Sequence, residues 1–281
     1  MHERNRLREV ALVFLKLGFF SFGGPAAHTA MMEEEVVKRR KWIDRQHLLD
    51  LLGATNLIPG PNSTEMTMHC GHERAGLAGL IVAGLSFILP AVLITSVFAW
   101  LYVEYGHLPE IEPYIFGIKP AVLAIIASAI ISLGKKAVKG LETAILGALV
   151  LAAGIAGVNE IKALLVAGIT GTLYFYLKNN RKEKLSSLIP LMAMPAVSTA
   201  VSGISALGLF WAFLKIGAVL YGSGYVLFAY IDAELVTRGW LNHEQLMDAI
   251  AVGQFTPGPI LSTVTFIGYM LGGIPGAVAA T

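Results

Sequence analysis

Four stretches of this chain, 77–103, 114–133, 141–157 and 161–177, are long, apolar and almost without charge. Each is close to the roughly 20 residues that a helix needs to cross a bilayer. A fifth, 185–201, contains Pro190 and Pro195 and reads as a kinked spanning helix. Hydrophobic residues make up 55% of the 281 and charged ones 14%, where a soluble domain carries about 25% charged residues. The predicted fold class is therefore all-α, a polytopic integral membrane protein. The net charge of +2 is too small to suggest a nucleic-acid partner. One cysteine, Cys70, excludes a disulfide within the chain and leaves too little thiol for a zinc or iron–sulfur site. The N-terminus is basic and then apolar, but it lacks a small-residue cleavage site and carries Lys16 inside the run. It reads as retained.

The other apolar stretches are interrupted, and twice in the same way. "NLIPGPNST" at 56–64 returns as "QFTPGPILST" at 254–263. The likeness extends around both: "FLKLGFFSFGG" at 14–24 matches "FLKIGAVLYGS" at 213–223, and 41–64 matches 239–263 with one insertion just before Trp42. Matched pairs include Phe14/Phe213, Lys16/Lys215, Gly18/Gly217, Gly23/Gly222, Trp42/Trp240 and Asp50/Asp248. This is an internal duplication. In that register Thr281 corresponds to Ala83, so 84–177 have no second copy and the chain reads as truncated within its second repeat. The expected domains are a first repeat at 1–184, a connecting transmembrane helix at 185–203 and an incomplete second repeat at 204–281. The first repeat would hold two re-entrant segments and four spanning helices.

Charge orients the segments, because Lys and Arg collect in cytoplasmic loops. Arg4, Arg6 and Arg8 precede the first run, and Lys38, Arg39, Arg40, Lys41 and Arg45 follow it. Loops 135–139 and 178–184 are also basic, whereas 104–113 has Glu104, Glu110 and Glu112 and no basic residue. These signs place 1–8, 38–45 and 71–76 on the cytoplasmic side. Segments 7–33 and 47–70 then enter from the cytoplasm and return to it, each as a pair of half-helices with a glycine–proline break at its tip. In the second repeat Lys38 becomes Thr237 and Arg40 becomes Gly239, while Asp232, Glu234 and Glu244 dominate, so the repeats read as inverted. The protein is expected in the plasma membrane, multi-pass, with a cytoplasmic N-terminus.

Irregular backbone at membrane depth survives only where protein or a water-filled cavity covers it. Discontinuous helices at corresponding places in two inverted halves point to a transporter's binding site. Pro25 and Pro61 suit the first position of the helix after each break, whose amides and dipole attract anions. Asn62, Ser63 and Thr64 add donors in the first half, and Ser262 and Thr263 in the second. Lys16 lies ~14 Å past the basic N-terminus at the helical rise, and Lys215 matches it. The pair reads as neutralising an anion near the centre, with snorkelling to the headgroups as the alternative. Glu65, whose second-half partner in this register is Thr263, is a proton-coupling candidate or a partner for Lys16. His28, just after the first break, is the other proton-coupling candidate. The run His69–Cys70–Gly71–His72 does not put ligands on one helical face, and neither a metal nor another cofactor is expected.

At these residues the chain resembles a known family. "FFSFGGPAAH", "PGPNSTEMTMHCG", "AGLAGLIVAGLSFILPA" and "GWLNHEQLMDAIAVGQFTPGP" are similar to the chromate ion transporter family, across essentially the whole chain and in both halves. "GHERAG" stands where members usually carry a more basic stretch. The resemblance implies membrane efflux of chromate. It points to Phe22, Gly23, Gly24, Pro25, Asn56, Pro59, Gly60, Pro61, Asn62 and Glu65. In the second half it points to Gly222, Gly224, Gln254, Pro257, Gly258 and Pro259, with Ser223 between the glycines. The expected partners are chromate or a related oxyanion such as sulfate, and the lipid bilayer. A homodimer is the expected assembly if the chain assembles at all. The favoured function is a secondary transporter, not an enzyme, rocking one repeat against the other. An anion channel is the alternative, since re-entrant half-helices also build selectivity filters. A membrane enzyme would need a nucleophile–base set or metal cluster, for which no spacing here argues.

Overall fold

Gly23 and Gly24, with φ of 102° and 77°, hold backbone conformations that side chains avoid, and there the first apolar run breaks. The computed structural model describes residues 2–106, 108, 138–156, 160–178, 205–220, 224 and 226–281, with scattered positions between 117 and 135. The expected span 185–201 and most of 114–133 lie outside the described residues. Helix α1 (His2–Phe20) ends at this break, and α2 (Gly24–Met32) leaves it with Gly23 as N-cap and Pro25 in its first turn. A π-helical turn (Glu33–Arg39) continues α2. Then come α3 (Arg45–Thr55) and, past the second break, α4 (Asn62–Tyr105). Pro61 is the N-cap of α4 and not its first residue. The helix starts one residue later than expected because Pro61 itself is extended, with ψ of 102°.

The second repeat follows the same order. Helix α7 (Ala206–Val219) is followed by α8 (Val226–Ile231), a π-helical turn (Asp232–Val236), α9 (His243–Phe255) and α10 (Ser262–Ala280). The correspondence reaches individual caps. Asp44 caps α3 by accepting from the His47 amide, and Asn242 caps α9 by accepting from Gln245. After each π turn a left-handed residue stops the helix: Lys41 at φ 53° and Gly239 at φ 71°. The insertion before Trp42 is absorbed here. The Trp42 amide donates back six residues to Val36, whereas the Trp240 amide donates back five to Leu235.

Helix α4 is two arms, not one rod. Ala75 and Gly76 have non-helical angles, and a Cβ on Gly71 would strike the Gly79 carbonyl and the Ala83 side chain. Residues eight and twelve apart cannot meet on a straight helix, which rises 1.5 Å per residue, so arms 62–74 and 77–105 fold back on each other. Helix α10 repeats the turn at Gly272–Gly273, with Gly268 against Gly276 and Ala280. Lipid gives helices little reason to associate by apolarity alone, so small residues that admit close backbone contact hold such pairs. The matched turns also correct the register. Gly76 corresponds to Gly273 and Ala83 to Ala280, which sets Thr281 opposite Gly84 and not Ala83.

Polar side-chain contacts tie both first-repeat segments into hairpins. His47 at the start of α3 pairs with Glu73 at the end of the returning arm, 3.4 Å. Glu9 near the start of α1 holds Arg40, after α2 and its π turn, at 2.8 Å, and Arg74 at 2.7 Å. Trp42 lies under both guanidiniums, 5.9 and 5.6 Å from its ring centre. At this base the hydrogen bond from Lys38 holds the exposed Glu34 carboxyl below the usual carboxylate range.

The long arm 77–105 is the common wall. One side is lipid-ready: Leu77, Ile81, Leu85, Leu89, Leu93, Val97 and Leu101 recur every fourth residue and are exposed. The other side, with Gly79, Ala83, Phe87, Ala91, Thr95 and Ala99, is buried. Along it, Ala83 and Phe87 join the first-repeat core of Val10, Val13, Phe14, Leu17, Met66 and Cys70. About 16 Å past Ala91 at the helical rise, Tyr102 donates to Asp248 of α9, 2.7 Å, and packs on Phe266 of α10. The two repeats thus occupy opposite ends of one wall. The other compact unit, residues 125–200, contains α5 (Leu141–Ile155) and α6 (Glu160–Lys178), packed on one another with Tyr174 donating to Glu142. Among the described residues there is no strand.

Candidate functional site

A proline–glycine–proline triplet has a single backbone donor, the glycine amide, because proline lacks an N–H. That donor determines how the repeats meet. The Gly60 amide donates to the Leu220 carbonyl at 2.6 Å, and the Gly258 amide donates to the Ser21 carbonyl at 2.8 Å. Gly60 matches Gly258, and Ser21 matches Leu220, so the two bonds are reciprocal across the repeats. Each proline–glycine break is stitched to the α1–α2 or α7–α8 break of the other half. Glycine is required for reach as well as for φ, which is +143° at Gly60 and +95° at Gly258. A Cβ on Gly258 would lie 2.9 Å from the Ala91 Cβ and 3.3 Å from the Gly18 carbonyl. A Cβ on Gly18 would in turn meet the Phe87 carbonyl at 2.6 Å.

Beside this junction is a cavity of about 70 Å³, lined by Pro61, Thr64, Ile88, Val92, Pro259, Ser262, Thr265 and Thr281 among others. The Thr265 and Thr281 hydroxyls are 2.8 Å apart. Of the residues lining it, Thr64 and Ser262 have buried hydroxyls with no protein partner, and at the same helix ends the hydroxyl Thr263 Oγ1, the amide donor Gln254 Nε2 and the acceptors Asn62 Oδ1 and Glu65 Oε2 also lack one. Each such group left dry costs about 1–3 kcal/mol, and together they would rival a domain's whole stability of about 5–15 kcal/mol. Buried groups of this kind are met by water or a polar solute.

The structure sorts the sequence-predicted residues. Gly23, Gly24, Pro25, Pro59, Gly60, Pro61, Pro257, Gly258 and Pro259 form the breaks, and Phe22 is exposed beside them. Asn56 donates to the Leu52 carbonyl and accepts from Asn62 at 2.6 Å, closing the loop of the first triplet. Ser63 and Thr64 are buried in the first turn of α4, and Ser262 and Thr263 in that of α10. Gly224 packs against Ile260, 3.5 Å from where its Cβ would be. Gly222 and Ser223 lie outside the described residues. Glu65 folds back over its own break, its carboxylate against Gly60. His28 is buried edge-on to Phe87, ring centres 5.5 Å apart.

The lysines do not reach the breaks. Lys16 donates to Glu35 at 2.6 Å and Lys215 to Glu234 at 2.8 Å. Lys16 therefore pairs with Glu35 and not with Glu65, because the π turn of the returning arm delivers Glu35 beside α1. The Gly60 and Gly258 amides are likewise committed to the facing repeat, which leaves side-chain hydroxyls and amides as the donors nearest the cavity. Sequence reasoning missed Glu35 and Glu234, although both stand the same distance after their lysines. It also missed Gly71, Gly79, Gly268 and Gly276. The parallel strings "GHERAGLAG" at 71–79 and "GYMLGGIPG" at 268–276 carry that signal.

The family model for chromate transporters matches residues 8–172 and 207–281. The chain belongs to the chromate transporter family. A chromate transport protein of Cupriavidus metallidurans is 32% identical over 98% of this chain and 70% of its own length. The "Probable chromate transport protein" of Synechococcus elongatus is 32% identical over 100% of the chain and 73% of its own. A chromate transport protein of Pseudomonas aeruginosa is 29% identical over 95% and 67%. No solved structure matches the chain. Membership in this chromate transporter family places the break residues and helices described above in a polytopic membrane protein.

Proposed function

We propose that this protein is a secondary transporter that exports chromate by alternating access across the plasma membrane, with sulfate as a competing oxyanion at the same site. The observation that carries the reading is the reciprocal junction of four helix breaks beside a cluster of buried, unpartnered hydroxyl and amide groups. A tetrahedral dianion presents four acceptor oxygens, and neither repeat alone offers enough donors to replace its hydration. In this reading Asn62, Ser63 and Thr64 act with Gln254, Ser262 and Thr263, while the Gly60 and Gly258 amides hold the repeats together around them. The two repeats are inverted and rock about the junction, with residues 1–184, 185–203 and 204–281 as first repeat, connecting helix and second repeat. The N-terminus is cytoplasmic. Glu65, over the break, is the group placed to carry a coupling proton, with His28 as the second candidate.

An inside-negative potential already favours export of a dianion, by about 2.3 kcal/mol per charge per 100 mV. The test is uptake of labelled chromate into inverted vesicles with and without an imposed potential. Uptake should saturate, rise with the potential and fall when sulfate is added, whereas nitrate should compete weakly. Flux that does not saturate would favour an anion channel, the second reading that half-helix breaks support. Orientation has its own expected result. In a background lacking Cys70, cysteines at positions 40 and 239 should label from opposite faces. Labelling of both from one side would end the inverted arrangement.

A further inference from the structure

Each repeat holds a matched lysine–glutamate clasp between its outgoing and returning arms. Lys16 meets Glu35 at 2.6 Å and Lys215 meets Glu234 at 2.8 Å, both pairs spanning 19 residues. In both the glutamate sits on a π-helical turn, a distortion frequent at functional sites. The members are unequally placed. Glu35 and Glu234 are 9% and 15% exposed, whereas Lys16 and Lys215 are 55% and 41% exposed. The carboxylate is the fixed member and the ammonium the accessible one.

Both carboxylates are also oversupplied with cations. Glu35 faces Lys16, Arg39 at 3.3 Å and Arg40 at 3.6 Å. Glu234 faces Lys215 and Arg238, and Arg238 is stacked 5.5 Å over Trp240. The arginines can hold each glutamate while the lysine turns elsewhere, since a flexible ammonium re-pairs more readily than a fixed planar fork. Resting on the oxyanion-transport reading, we infer that the two clasps are exchange sites for the travelling anion. The lysine trades its carboxylate for an oxygen of the oxyanion entering from that clasp's side, while the arginines keep the glutamate in place. Glu35 and Glu234 are then positioning residues that compete with substrate and set its affinity, each on one face. A lysine with no competitor would hold the dianion too long, and one without the glutamate's return would not release it.

The test uses the full chain in proteoliposomes, with chromate as the probe presented from either face. Glu35→Gln should lower the half-saturating chromate concentration on one face by roughly twofold to fivefold, the scale of one partly exposed ion pair, and lower the maximal rate. Glu234→Gln should do the same on the opposite face only. Lys16→Met should stay folded, because Arg39 and Arg40 still pair with Glu35, but it should raise the half-saturating chromate concentration on the same face as Glu35→Gln. Unchanged half-saturation in Lys16→Met would overturn the inference, since a lysine that never meets the anion cannot set its affinity. Unchanged half-saturation on both faces in both glutamine variants would overturn it as well, whether or not the rate falls. Wild-type transport in the same vesicles separates the two levels: if the wild type moves chromate and the variants do not differ, only the clasp inference fails.

Discussion

Gly79→Val is expected to cost the protein its fold. A Cβ at Gly79 would strike the Gly71 carbonyl oxygen and come within 2.8 Å of the Ala75 side chain, and backbone on the opposing arm has nowhere to retreat. Overpacking in a well-packed interior costs about 1–3 kcal/mol and sometimes more. Here the clash is with backbone, and it opens the fold-back that positions the long wall. Gly276→Val should do the same to the second hairpin, through the Gly268 carbonyl. The measurement is the monodisperse fraction and thermal midpoint after detergent extraction. Gly147→Val serves as the control, because nothing lies within 4 Å of a Cβ there. A wild-type midpoint for Gly79→Val would mean that the arms do not pack as described.

The second large effect falls on transport. Gly258→Val should lower chromate flux by at least about a hundredfold while the protein still inserts, and Gly60→Val should follow it. At Gly258 the side chain meets Ala91 and the Gly18 carbonyl, and φ of +95° is strained for any side chain; such strain alone costs on the order of 1–3 kcal/mol. The amide would be pushed off the Ser21 carbonyl, breaking one of the two glycine-amide bonds that join the repeats. Gly53→Ala, in α3 with open space around it, should transport normally. Binding and flux are measured on purified protein and on vesicles. Unchanged chromate affinity in both valine variants would place the binding site away from the breaks.

Much of this organisation was readable from residues. The apolar run 77–103 emerges as the long wall arm, because a stretch of that length and polarity has one stable state in lipid. The breaks fall where glycine and proline remove helical geometry or a backbone donor, at Gly23 and at Gly60. Copying was legible because the same residues recur: Lys16 and Lys215, Trp42 and Trp240, the two triplets.

The partners were not legible. Lys16 read as a ligand for an anion because a sequence shows a charge in an apolar run but not what folds beside it. The π turn that swings Glu35 onto it is a matter of backbone geometry on another helix. Likewise Gly60 and Gly258 read as donors to a ligand, since a break in one helix has free amides until another chain segment arrives. Their acceptors, Leu220 and Ser21, are carbonyls, and every residue but its neighbours' geometry makes a carbonyl look alike in sequence. Among the described residues, the residue pattern by itself determined where the apolar helices run, where glycine and proline interrupt them and that the same pattern is written twice. Only the tertiary structure decided which break meets which, because hydrogen bonds between distant backbone groups depend on how the two repeats face each other and on no residue's identity beyond the glycine that lets them touch.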